Sequence, residues 1–150
     1  MRFLGEIEAK ADNKGRVFIP AAYRKQLEKE DESSLVMRVD SISRCAKFYP
    51  LSVWEKMDEE FRSKLNLWDK NDQKLYRQFT AKVEQMDMDS SGRILLQKKH
   101  CETLGIEDTV LFIGVGDHFE VWNKCVYDDS LLDDEDFEKA LQEKMGNPSA

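Results

Sequence analysis

Apolar positions along this chain follow two rhythms that take turns. Alternation near period 2 marks strands, and recurrence every three to four residues marks helices with one apolar face. Strands are predicted from Phe3 to Ala11 and from Lys82 to Met88. In the second, Val83, Met86 and Met88 are set against Glu84, Gln85 and Asp87. Each runs into Asp-x-x-Gly-Arg and then an apolar triplet: Asp12 to Arg16 before Val17-Phe18-Ile19, and Asp89 to Arg93 before Ile94-Leu95-Leu96. Aspartate opening such a turn accepts backbone N–H bonds, and glycine supplies the positive φ. Each unit therefore reads as a hairpin, its triplet returning beside the strand before it.

A short helix is expected after each triplet. The first has Pro20 at its first position, where the missing N–H costs nothing. The second runs from about Gln97 to Leu104, with Gly105 as its stop. Buried strands follow around Leu35 to Val39 and Val110 to Val115. A further strand in each copy ends at an aromatic pair five residues apart, Tyr49 with Trp54 and Trp122 with Tyr127. The turns match at an offset of 77 and the aromatics at 73. Two copies are too few for a solenoid, so they predict two half-domains built on one plan.

Between the copies lies a helical insert. Ser52 with Glu55 has the form of a capping box, and Trp54, Met57, Phe61 and Leu65 recur at helical spacing. Asp69 or Asp72 is placed to cap a second helix bearing Leu75, Tyr76 and Phe79. Leu131 to Met145 reads as an acidic helix with Leu132, Phe137 and Leu141 apolar, and the segment 146–150 is expected to fray. The divisions are then 1–54, a helical insert 55–80, a second module 81–127, and an acidic helix and tail 128–150.

Composition narrows the class. Charged residues are 35% and the apolar set 41%, a balance typical of globular chains and far from disorder. No apolar run approaches the ~20 residues of a membrane span. The N-terminus meets acid too early for a signal peptide. Three cysteines without CxxC are expected to be reduced thiols in a cytosol. The net charge of −7 is unevenly spread. Residues 126–150 hold eight acids against two bases, whereas residues 1–28 hold six bases against four acids. The acidity sits largely in a tail, and overall charge neither forbids nor requires a polyanionic partner.

Catalytic signatures are lacking: no phosphate-binding loop, dinucleotide fingerprint, HExxH or GxSxG. His100 beside Cys101 is the nearest approach to a nucleophile pair. Neighbouring helical positions point about 100° apart, so one is expected to face solvent and the other the core. The cysteines and His100 have no zinc spacing. No metal, cofactor or small-molecule substrate is expected, and nothing argues for an enzyme. The repeated Asp-x-x-Gly-Arg remains. Its plain reading is a turn with a structural Asp–Arg pair, twice over. Its functional reading is a groove probe: Arg grips phosphate bidentately and reads guanine edges, and a two-stranded ribbon fits the major groove of DNA. Lys14, Arg24, Lys25, Lys98 and Lys99 add charge nearby. The residues alone leave nucleic acid and a protein partner both open.

Phe3-Leu4-Gly5-x-x-Glu8 with Asp12-Asn-Lys-Gly-Arg16-Val-Phe-Ile-Pro20-Ala resembles the first signature of the MraZ family. Tyr49-Pro50-Leu51-x-x-Trp54 is similar to its next landmark. Gln78-Phe79-x-x-x-Val83-Glu84, Asp89-x-x-Gly92-Arg93, and Phe112 to Trp122 resemble the rest. The resemblance covers about residues 3 to 127. It implies an α+β fold of two tandem AbrB-like swapped-hairpin modules forming an intramolecular pseudo-dimer. It implies a cytoplasmic, nucleoid-associated regulator of the bacterial division and cell-wall cluster, a repressor that binds repeated promoter boxes in double-stranded DNA as a ring homo-oligomer. Arg16 would be the chief DNA contact, with Lys14 beside it, Arg93 as its counterpart and Arg24 as a further basic position. Asp12, Gly15, Asp89 and Gly92 would shape the turns. Gln97 stands where the second signature often has proline, and 28–34 lacks the usual glycine turn. Two other classes remain: an antitoxin-like protein-binding module using the acidic tail, and an enzyme using His100 or His118 beside a carboxylate.

Overall fold

The two copies interleave rather than fold side by side. The structure, a computed structural model, describes residues 2–146; the tail expected to fray lies largely outside them. The first half contains β1 (Glu6–Lys10), β2 (Arg16–Phe18), α1 (Ala21–Lys29), β3 (Ser34–Asp40) and β4 (Cys45–Pro50). Helices α2 (Leu51–Ser63) and α3 (Lys70–Ala81) follow. The second half repeats the order with β5 (Glu84–Asp87), β6 (Arg93–Leu95), α4 (Lys98–Leu104), β7 (Thr109–Gly114) and β8 (Phe119–Trp122), then α5 (Lys124–Ser130) and α6 (Asp134–Met145).

Six strands form one antiparallel sheet in the order β1-β7-β8-β4-β3-β5. Exchanging first-half strands for their second-half counterparts returns the same order, so a pseudo-dyad runs between β4 and β8. Each half builds its own β3–β4 or β7–β8 pair, but β1 lies on β7 and β5 on β3, across the halves. The returning triplets correct the expectation of two local hairpins. Apart from one bridge between Ala11 and Val17, β2 does not pair with β1. It pairs antiparallel with β6, Val17 opposite Ile94. A three-residue strand has one inward side chain, and burying Val17 against Ile94 gives each ~1.5–3 kcal/mol. Both are fully or almost fully buried. The resulting α+β pseudo-dimer of two interlocked modules is the architecture that the family resemblance implied.

The core lies under this exchange. Phe119 is ringed by Phe3, Tyr23, Phe48 and Phe112, with centroids 5.3, 5.3, 5.5 and 5.8 Å away. The buried Tyr23 hydroxyl donates to the Gly5 carbonyl at 3.0 Å, as a buried phenol requires.

Helix ends show where local reading falls short. Pro20, with φ −50° and ψ 141°, caps α1 from outside rather than occupying its first turn. Gln97 adopts nearly the same extended backbone before α4 (φ −63°, ψ 148°), without proline. Ser52 forms no capping box. Pro50 precedes α2, and the Ser52 N–H donates to Glu32 Oε1 at 3.2 Å, so the cap comes from another part of the chain. Asp69 does cap α3, accepting from the Asn71 N–H. The acidic helix expected at 131–145 is present as α6 but begins three residues later, and a separate short helix, α5, precedes it. Asn123 caps α5, Leu131 is extended, and Asp133 caps α6. In place of a glycine turn after α1, Asp31 takes φ +53°. Trp54 stacks on Phe79, and Phe61 meets both Phe79 and Tyr76, so α2 and α3 close on each other through these half-buried rings.

Candidate nucleic-acid interface

Each Asp-x-x-Gly-Arg segment folds on its own aspartate. Asp12 Oδ1 accepts the N–H groups of Lys14 and Arg16, both at 2.9 Å, and its Oδ2 accepts Arg16 Nε at 2.7 Å. Asp89 Oδ1 accepts Ser91 and Arg93 N–H at 3.0 and 2.9 Å, and its Oδ2 accepts Arg93 Nε at 2.8 Å. Hydrogen bonds to the ionised form stabilise it. The Arg16 N–H first, helped by the Arg16 side chain and the Lys14 N–H, holds Asp12 down at about 2. The Arg93 N–H and side chain lower Asp89 likewise. Gly15 (φ +87°) and Gly92 (φ +86°) complete the turns, and they bond across the halves: Leu96 N–H donates to the Gly15 carbonyl and Ile19 N–H to that of Gly92. Each turn is thus closed by the other half's backbone.

The β2–β6 ribbon turns Val17 and Ile94 inward, which leaves Arg16, Phe18, Arg93 and Leu95 on its outer face. Arg16 is opposite Leu95 and Phe18 opposite Arg93, so the dyad places one arginine at each diagonal. Phe18 and Leu95 are about half exposed. The Asp–Arg pairs of the plain reading are present, yet they engage only Nε. The arginine side chains keep 38% and 27% exposure, and no hydrogen bond from their terminal nitrogens forms among the described residues. A guanidinium has five N–H donors in a planar fork, so four remain on each. Phe18 and Leu95 carried a signal in the sequence: in an alternating triplet with a buried centre, the flanking residues face outward.

The surroundings of the two turns differ. Lys14 is exposed on the first turn. Arg24, from the first half's α1, lies over Gly92 of the second turn, with its Nε buried and unpartnered. The residue in the matching position on α4 is Cys101, whose short side chain lines a hollow of about 420 Å³ beside Gly15 with Lys14, Lys98 and Glu102. Arg93 also rests over the Phe18 ring, 5.6 Å from its centroid. Lys14 and Arg16 therefore gather at one tip, and Arg24 joins Arg93 at the other.

The groups suggestive of an enzyme each have their own partners. His100 and Cys101 do not divide into one solvent-facing and one core-facing residue, since both are half-buried. The His100 Nε2 lies 3.2 Å from Glu84 Oε1 beside a hollow of about 400 Å³. The neighbouring thiol of Cys101 donates to the Leu96 carbonyl instead, and burial raises its pKa. His118 stacks on Tyr49 and meets Asp117 at 2.8 Å. No cluster of three metal-ligating side chains occurs among the described residues, and no helix there is long and apolar enough to cross a membrane.

Comparison with known proteins agrees with this geometry. The profile of the family described as "MraZ protein, putative antitoxin-like" matches residues 2–78 and again 79–147. The chain belongs to the MraZ family. A protein of Phocaeicola vulgatus named "Transcriptional regulator MraZ" is 43% identical over 97% of this chain and 95% of its own length. A protein of the same name from Bacteroides fragilis is 45% identical over 97% and 92%. A more distant one, from Serratia proteamaculans, is 29% identical over 95% and 93%. The name these MraZ relatives share is that of a regulator, not of an enzyme. The two profile matches divide the chain close to the end of α3, so in MraZ the helical pair travels with the first half.

Proposed function

We propose that this chain is a DNA-binding transcriptional regulator whose β2–β6 ribbon enters the major groove of promoter DNA. The observation that carries this reading is the pair of dyad-related arginines, each fixed by its own aspartate through Nε with its terminal nitrogens free. Immobilising the side chain in advance lowers the entropic cost of binding, and the free fork suits guanine edges or phosphate. Arg16 and Arg93 are the primary contacts, Lys14 supports the first tip and Arg24 the second, while Asp12, Gly15, Asp89 and Gly92 hold both in shape. The modules extend over 1–54 and 81–127, joined by the insert 55–80 and followed by the acidic segment 128–150.

One ribbon covers little of a duplex, so a single contact would be weak. Repeated promoter boxes bound by several copies in a ring make the second contact intramolecular, which raises avidity by ~10²–10⁴. Repression of the cell's division and cell-wall cluster would then follow from covering the promoter, with the regulator in the cytoplasm at the nucleoid. The net charge is no obstacle, because most of the excess acid lies in α5, α6 and the residues between them. The test is a gel-shift comparison of wild type with Arg16→Ala and Arg93→Ala, on fragments selected from the source genome, at matched salt. Loss of binding with an unchanged circular dichroism spectrum is expected for Arg16→Ala, and an equal or smaller loss for Arg93→Ala. Binding equal to wild type by both variants would overturn the assignment.

A further inference from the structure

Helix α6 has nothing to lie against. All its residues are exposed, yet Phe137, Leu141 and Met145, four apart, form an apolar stripe with exposures of 53, 44 and 79%. A stripe of that kind on a helix ordinarily faces a packed surface. The other half shows what the position is for. There β4 leads into α2 and α3, which bury their aromatic faces against each other. After β8, α5 packs on Trp122 through Val126 and Tyr127, and α6 is left over.

The complement is present in the same sequence. Residues 133–145 hold six acids and two bases, and residues 62–82 hold six bases and two acids. All six of those bases are exposed. Lys70, Lys74 and Arg77 recur at i, i+4 and i+7, which places them along one side of α3. Trp68 just before α3, 94% exposed, and Leu75 on it, 51% exposed, supply apolar surface on the same segment. Two segments with opposite charge and unspent apolar area suit contact between chains.

We propose that α6 of one copy docks on α3 and the α2–α3 connection of a second copy, the acids of α6 facing Lys70, Lys74 and Arg77. The two surfaces differ, so the contact is head to tail and repeats from copy to copy until a ring closes. It supplies the interface for the self-assembly in the preceding reading and rests on that part of it alone.

The full-length chain is tested by light scattering after size exclusion, without DNA, across concentration and in low and high salt. One variant reverses the acids (Glu135→Lys, Asp136→Lys, Glu138→Lys) and another the bases (Lys70→Glu, Lys74→Glu, Arg77→Glu). These side chains are exposed, and circular dichroism checks the fold. Wild type is expected at several times the chain mass, and each reversed variant at one chain mass. Mixing the two variants restores the wild-type mass, because each then offers the other a complementary surface. Phe137→Glu is expected to shift wild type toward one chain mass. A wild type that stays at one chain mass, reversals that leave the mass unchanged, or a mixture that fails to reassemble would each overturn the proposal. The DNA reading is judged separately: Arg16→Ala keeps the assembled mass, and a single-chain protein that still binds DNA defeats only this inference.

Discussion

Arg24 of the first half lies across the backbone of Gly92 in the second, so closely that a Cβ on Gly92 would come 2.6 Å from the Arg24 Cδ. At the matching place, a Cβ on Gly15 would collide with the carbonyl oxygen of Leu96. A side chain can swing aside, but a backbone carbonyl cannot. Both glycines have positive φ, so alanine at either costs about 1–3 kcal/mol in backbone strain. Gly15→Ala is expected to lose more stability than Gly92→Ala in thermal unfolding. Gly92→Ala displaces Arg24, and its larger effect is expected in DNA binding. Equal melting temperatures for the two variants would contradict the asymmetry.

Acid should loosen the first turn. Asp12 sits near 2, below the ordinary 3.8, so its folded-state pKa is depressed. The stability it contributes is present above pH 3.8 and is lost as pH falls toward 2. Asp12→Asn removes that ionisation. Wild type is expected to lose melting temperature more steeply than Asp12→Asn between about pH 4 and 2. Parallel curves for the two proteins would show that the carboxylate is not held down by its N–H partners.

The aromatic core gives a graded test. Phe119→Ala empties a site ringed by four other aromatics and should cost ~3–5 kcal/mol in denaturant unfolding. Tyr23→Phe keeps the ring and deletes only the bond to Gly5, a loss of ~0.5–1.5 kcal/mol. If the two were equal, Phe119 would not be the centre of packing.

Thiol labelling should be ordered by burial. Cys125 is exposed, Cys101 half-buried and Cys45 buried, and burial pushes the Cys45 thiol up to about 12. Since the thiolate is the reacting form, a maleimide is expected to modify Cys125 first, Cys101 slowly, and Cys45 only on unfolding. Mass spectrometry of the time course checks it.

The turns were legible in the sequence because their bonds are local. Asp12 and Asp89 reach N–H groups two and four residues on, and a spacing is enough to find them. The pairing of β2 was not. A strand followed by a turn and an apolar triplet reads as a hairpin, and no local feature says that Val17 buries against a residue 77 positions away. Ser52 failed as a cap for a related reason, since its N–H is satisfied by Glu32, twenty residues earlier. The true start of α6 was available: Asp133 before an acidic first turn is a strong start signal, and the apolar Leu131 and Leu132 drew the boundary three residues too early. The position of Arg24 at the opposite turn, and of Phe18 beneath Arg93, follows from the strand exchange and became visible only with it.

Because β1, β2, β3 and β4 each find a partner in the other half, residues 1–78 alone would strip β1 and β2 of their ladder partners, leave β3 and β4 with an open edge each, and need a second polypeptide to satisfy them. The covalent tether replaces that encounter with a very high effective concentration. It also lets the sister units drift apart: the position held by Tyr23 in the first unit is held by His100 in the second, and that of Arg24 by Cys101. A homodimer must change both sides at once, whereas a fused pair accepts each change singly.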